Sequence, residues 1–172
     1  MTTQQIIWMT FGYSIAFIAA VYFTRATARR AFGSLIGGAV AGVAFAAACL
    51  LGRAVGWWQF PLPSRAFVLA LFYLGAAISL SPMYLITWRV ARRFGRQGMA
   101  VCLITVGIIG PPRDYLVAAV YPKWMTFASG LAPILADCAI YVGLVALGHV
   151  IMRLVAGPAQ GDRLAQHHRR AA

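Results

Sequence analysis

The basic residues of this chain fall in alternate links between its apolar stretches. Arg25, Arg29 and Arg30 follow the first stretch, and Arg89, Arg92, Arg93 and Arg96 follow the third. Arg153, Arg163, Arg169 and Arg170 close the fifth. The other links hold only Arg53 and Arg65, then Arg113 and Lys123. Of 15 Lys and Arg residues, eleven belong to one set of links and four to the other. A guanidinium is costly to carry across hydrocarbon, so such a bias fixes which helix ends stay cytoplasmic. The pattern predicts an all-α polytopic membrane bundle of five transmembrane helices, with the N-terminus outside and the C-terminus inside. The membrane it predicts is the cytoplasmic (inner) one.

Composition agrees with that class. The chain is 62% hydrophobic and 10% charged, where a soluble domain carries about 25% charged residues. A net charge of +12 could suggest nucleic acid. The charges sit at the ends of apolar runs instead, where anionic lipid of the cytoplasmic leaflet is the expected counter-charge and nucleic acid is not. The chain has no glutamate, and its acids are Asp114, Asp137 and Asp162. Chemistry that needs paired carboxylates has little to draw on. Cys49, Cys102 and Cys138 lie inside apolar stretches without metal-ligand spacing and read as small buried hydrophobes.

The spacing predicts helices over about 6–23, 31–52, 66–88, 98–112 and 131–153, with a short helix over 114–121. Residues 1–156 form the predicted transmembrane domain, and 157–172 a basic cytoplasmic tail. Positive charge follows the first apolar core rather than preceding it, so that core reads as a retained helix and not a signal peptide. The fourth helix is expected to be short, or broken at Pro111-Pro112, because about fifteen residues cover only roughly 22 Å; a kinked helix continuing to about residue 121 is the alternative. Pro82 predicts a kink in the third helix, with the Ser79 and Ser81 hydroxyls meeting the freed carbonyls. The link with Trp57, Trp58, Pro61 and Pro63 reads as an outer interfacial loop. Ala28-Arg29-Arg30-Ala31-Phe32-Gly33 resembles Ala91-Arg92-Arg93-Phe94-Gly95, which would suit two hairpin repeats.

Gly33 with Gly37, and Gly38 with Gly42, give two small-xxx-small pairs on the second helix. Missing side chains let backbones approach closely. The pairs serve either packing within one chain or a seam for a second copy or a membrane partner.

Asp137 is the leading functional candidate. It falls about 9 Å below the outer end of its helix, where a carboxylate needs protein or water around it. Arg113 is expected at the same depth and is its predicted ion partner. A neutral acid bonded to a carbonyl or to Tyr141 is the alternative. Pro111-Pro112-Arg113-Asp114-Tyr115 is the densest polar string, read either as an anion-binding rim or as a helix break capped by Asp114. His149, four residues before Arg153, is a secondary candidate, though about 18 Å along the helix from Asp137. His167 and His168 belong to the basic tail. No pair of histidines shares a depth on facing helices, and no cofactor or metal is indicated.

These residues predict a polar recess near the outer face formed by Asp137, Arg113, Asp114 and Tyr141. A small transport or permease-like subunit would use such a recess. A structural or accessory subunit packing through its glycine face is the alternative. An intramembrane enzyme acting on a lipid or isoprenoid is less well served, because only one acid is deeply placed.

Overall fold

The computed structural model of the chain describes residues 3–60 and 65–157. Pro61 and Pro63, and the tail with Asp162, Arg163, His167, His168, Arg169 and Arg170, lie outside them. The described residues form four helices: α1 (Thr3–Thr24), α2 (Ala28–Val55), α3 (Ala66–Val120) and α4 (Leu131–Ala156). Two short strands, β1 (Trp58–Gln59) and β2 (Thr126–Phe127), pair antiparallel between them. All four helices are long and apolar enough to cross a membrane. The chain is an integral membrane protein.

The distribution of side chains has the same meaning. Large apolar groups cover the outside, with Trp8 65%, Phe67 73% and Leu154 74% exposed. The most deeply buried side chains include Ser34, Ser81, Thr87 and Tyr84. Lipid is as apolar as leucine, so burying leucine gains little there. Close backbone contact and hydrogen bonds hold the helices together instead.

α3 is two helical limbs joined at Gly95, whose φ of 64° and ψ of −142° are non-helical. That conformation is open to glycine and strained for any residue with a Cβ. Ser79 and Leu80 of the first limb line the same cavity as Arg113 and Asp114 of the second. The limbs therefore run back along one another. In a straight helix those residues would lie about 50 Å apart.

The prolines do not break the helix. The backbone stays helical through Pro82, Pro111 and Pro112, and the second limb runs on to Val120. Of the two alternatives for this segment the continuous helix holds, and the short or broken fourth helix with a separate 114–121 helix does not. The reason is packing against α4. A Cβ on Gly107 would meet Cys138 Sγ and Val142 Cγ2, each at 3.1 Å, and one on Gly110 would meet the Tyr141 ring. α4 thus lies directly on the turns beside the prolines and supports them. Nor do Ser79 and Ser81 serve the Ile78 carbonyl that Pro82 leaves without its usual donor. Ser79 Oγ donates to the Ala76 carbonyl, and Ser81 Oγ to those of Ala77 and Ser34.

The glycines of α2 are filled within the chain. Gly33 and Gly37 lie against the Met152 and Gly148 carbonyls of α4; Gly38 and Gly42 face Ala77 and Tyr73 of α3. The face expected as a seam for a second copy or a partner is occupied by α3 and α4. Gly148 in turn makes the notch for the Tyr84 ring, whose hydroxyl donates to the Leu144 carbonyl at 3.3 Å.

One end of the bundle gathers arginines. Arg29 Nε and Arg30 Nη2 donate to the carbonyls of Val155 and Gly157, at 3.2 and 3.0 Å. The Arg30 and Arg92 guanidiniums lie 4.4 and 5.8 Å from the centre of the Trp88 ring. The start of α2, the end of α4 and the Gly95 turn therefore share this arginine end. Thr27 caps α2 there, its hydroxyl accepting from the Arg30 amide. The paired strands mark the opposite, sheet end. The Ala28 and Ala91 segments do not act alike: Gly33 is a packing notch inside a helix, whereas Gly95 is a turn.

Candidate functional site

A cavity of about 420 Å³ lies toward the sheet end, enclosed by all four helices and the segments around the strands. α1 contributes Thr10 and Tyr13, the first limb of α3 contributes Phe72 and Ser79, and the second contributes Arg113 and Asp114. α4 contributes Asp137 and Tyr141. Thr10, Arg113, Asp114 and Asp137 lie roughly 10 Å in from their helix ends, Tyr13 and Tyr141 roughly 15 Å, and Ser79 roughly 20 Å, so the polar groups descend from the sheet end toward the middle of the bundle.

The strand pair roofs this region. Trp58 is buried, its ring in the space where Gly52 lacks a side chain. It sits 6.0 Å from the Phe127 ring, which stacks on Tyr115 at 4.5 Å. The Ala128 amide donates to the Trp57 carbonyl at 2.8 Å. The described part of the link expected as an outer interfacial loop, residues 57–60, packs against residues 126–128, and Phe60 and Trp124 stand on the cavity wall. This packing is held by aromatic contacts and by backbone hydrogen bonds between the two links.

The four residues expected in the recess all line this cavity. Their pairing differs from expectation. Arg113 Nε lies 3.6 Å from Asp114 Oδ1, and Arg113 Nη1 donates to the Tyr141 hydroxyl at 3.0 Å. Arg113 does not pair with Asp137. Its long side chain meets the adjacent carboxylate and the α4 tyrosine first, and both lie on its own side of the cavity. Asp114 makes no helix cap, because it sits inside a continuous limb. Its side chain is 15% exposed and stands on the wall with Asp137.

Among the described residues on the cavity wall, Asp137 carries a buried side-chain oxygen, Oδ2, that no donor meets. Its residue is 7% exposed. Buried polar atoms are almost always satisfied, since an unmet one costs roughly 1–3 kcal/mol and a charged one more. Asp137 lines the cavity, while Oδ2 itself has almost no accessible surface, so a guest reaches that oxygen only when the side chain turns toward it.

His149 does not belong to this site. It is buried, with Nδ1 2.9 Å from Thr87 Oγ1, and ties α4 to the first limb of α3 further toward the arginine end. Sequence reasoning missed Thr10, Tyr13 and Ser79 on the cavity wall. Their hydroxyls stood out in apolar stretches, but a hydroxyl can also bond its own helix, as Thr10 Oγ1 does to the Ile6 carbonyl at 2.8 Å. It also missed Arg30, where only the charge had been counted. Comparison with protein families, with curated proteins and with solved structures found no match.

Proposed function

We propose that the chain is a small permease-like subunit of the inner membrane. It crosses the bilayer five times, N-terminus outside and C-terminus inside, with each limb of α3 counted as one crossing. The cavity then lies in the outer half of the membrane and takes up a small solute there, with Asp137 as the recognising group. The observation that carries the reading is the Asp137 carboxylate, buried on the cavity wall with Oδ2 unmet. Support for the orientation comes from the arginines gathered at the other end, which suits the leaflet with anionic lipid. The accessory-subunit alternative rested on a free glycine face, and α3 and α4 occupy that face.

Access tests the reading. Ser79, half-buried on the cavity wall, is changed to Cys in a variant whose three native cysteines are replaced. A membrane-impermeant methanethiosulfonate should modify it rapidly from the outer side and more slowly from the inner side. Labelling from outside alone would reduce the protein to a binding subunit. Labelling from neither side, in a correctly folded variant, would remove the cavity from consideration.

A further inference from the structure

The chemistry of the cavity wall also limits what it can hold. Resting on the reading above, we propose that its guest is a small lipophilic primary or secondary ammonium ion. Its N–H donates to Asp137 Oδ2, and its apolar body lies along the aromatic wall.

Three observations carry this. Charge comes first. The charged side chains on the wall are Arg113, Asp114 and Asp137. Arg113 and Asp114 are already paired at 3.6 Å. The wall therefore holds one more acid than base, and a single positive charge balances it. An anion would meet Asp137 with no cation left to receive it. Hydrogen bonding comes second. Oδ2 lacks a donor, so a guest that meets it as the side chain turns into the cavity must bring an N–H or O–H; a quaternary ammonium brings none. Shape and surface come third. Phe45, Phe60, Phe72 and Trp124 line the rest of the space, and ring faces attract a cation as well as an apolar chain.

The remaining cations near the sheet end fit this picture. Arg53 and Lys123 line a neighbouring recess of about 270 Å³, and Phe60 and Met125 belong to the walls of both. A hydrophilic cation arriving from water would pass these charges. A lipophilic amine can arrive from the bilayer instead, past α1. That helix packs chiefly on α3, and its span is the least buried of the four.

The test uses the full chain purified in lipid nanodiscs, with four probes built on one phenyl-ethyl frame or its near equivalent. These are phenethylamine, its trimethylated quaternary analogue, phenethyl alcohol and phenylacetate. Binding is read by calorimetry and by shift of the unfolding midpoint. Phenethylamine should bind about tenfold or more tightly than the alcohol or the quaternary ion, the margin of one charge-assisted hydrogen bond. Phenylacetate should not bind. Asp137→Asn should remove that margin, and an unliganded unfolding midpoint no lower than the parent's shows that the variant is folded. Equal binding of amine and alcohol, or a preference for phenylacetate, would overturn the ammonium assignment and leave the cavity a solute site. A quaternary ion matching the amine would overturn the hydrogen bond to Oδ2. Failure of all four probes would overturn this inference, while labelling at Ser79→Cys would still decide the broader reading.

Discussion

The two ends of this bundle treat buried charge in opposite ways. At the arginine end, Arg30 is 4% exposed, yet its guanidinium donates to the Gly157 carbonyl and lies over the Trp88 ring. It also sits on the negative pole of α4, where cations are favoured. At the sheet end, Asp137 is 7% exposed and has an unmet oxygen, although an arginine lines the same cavity. One end ties its buried cation in, although Trp88 Nε1 beneath it is itself buried without a hydrogen-bond partner. The other keeps a carboxylate for something its own side chains do not supply. Removing one partner of a buried charge is costly, so an acid kept in that state points away from packing and toward binding.

The first way to break this contrast is through the glycines of α2. A Cβ on Gly37 would come 2.5 Å from the Gly148 carbonyl oxygen, an atom of the α4 backbone that cannot turn aside. A Cβ on Gly42, nearer the sheet end, would come 3.1 Å from Cε2 of the Tyr73 ring, which can shift. Gly37→Ala should cost about 3 kcal/mol through overpacking, and Gly42→Ala less than about 1 kcal/mol. Unfolding midpoints of the two variants in one detergent measure the difference. Equal losses would mean that both ends are joined with the same rigidity.

Arg30 offers the next test. Arg30→Ala should destabilise the protein by about 2 kcal/mol, from the lost hydrogen bond and the lost cation–π contact with Trp88. Arg30→Lys should recover less than half of that, because an ammonium is neither planar nor forked. If lysine restored the midpoint fully, Arg30 would be a mere positive charge, and the arginine end would be no better built than the sheet end.

Gly95→Ala follows, at about 1–2 kcal/mol. Its φ of 64° with ψ of −142° is strained for alanine. The expected readout is a lower midpoint with unchanged helix content, since the limbs on either side remain helical. A neutral effect would show that the turn relaxes, and that the return of the second limb depends on α4 alone.

What the sequence revealed divides along the same line. The clustering of the arginines was legible because hydrocarbon punishes a misplaced guanidinium more than almost any other error. The depth of Asp137, Arg113 and Tyr141 was legible too, because a helix rises by a fixed amount per residue. Their pairing was not. It depends on how each helix is rotated about its axis, and on which of several groups a long arginine reaches first. The turn at Gly95 falls in the link expected between 66–88 and 98–112, but the further break weighed at Pro111-Pro112 is absent. Pro111-Pro112 carries the strong local signal, yet the neighbouring α4 holds that stretch helical. Gly95 carries a weak one, and only the folded chain shows that its freedom in φ is used.

The smallest effect expected is the most informative. Asp137→Asn keeps the shape of the side chain and removes its charge. Were Asp137 a structural ion partner, the change would leave its cation without a counter-charge and lower the unfolding midpoint. Arg113, however, remains with Asp114 and Tyr141, so no cation is stranded. The amide should therefore leave stability within about 1 kcal/mol of the parent, or raise it, because an unmet buried charge has been relieved. Folded yield and unfolding midpoint measure this without any knowledge of the solute. A large loss would move Asp137 into the architecture and erase the difference between the two ends. An unchanged or higher midpoint would leave the acid without a structural duty, as a group retained for binding should be.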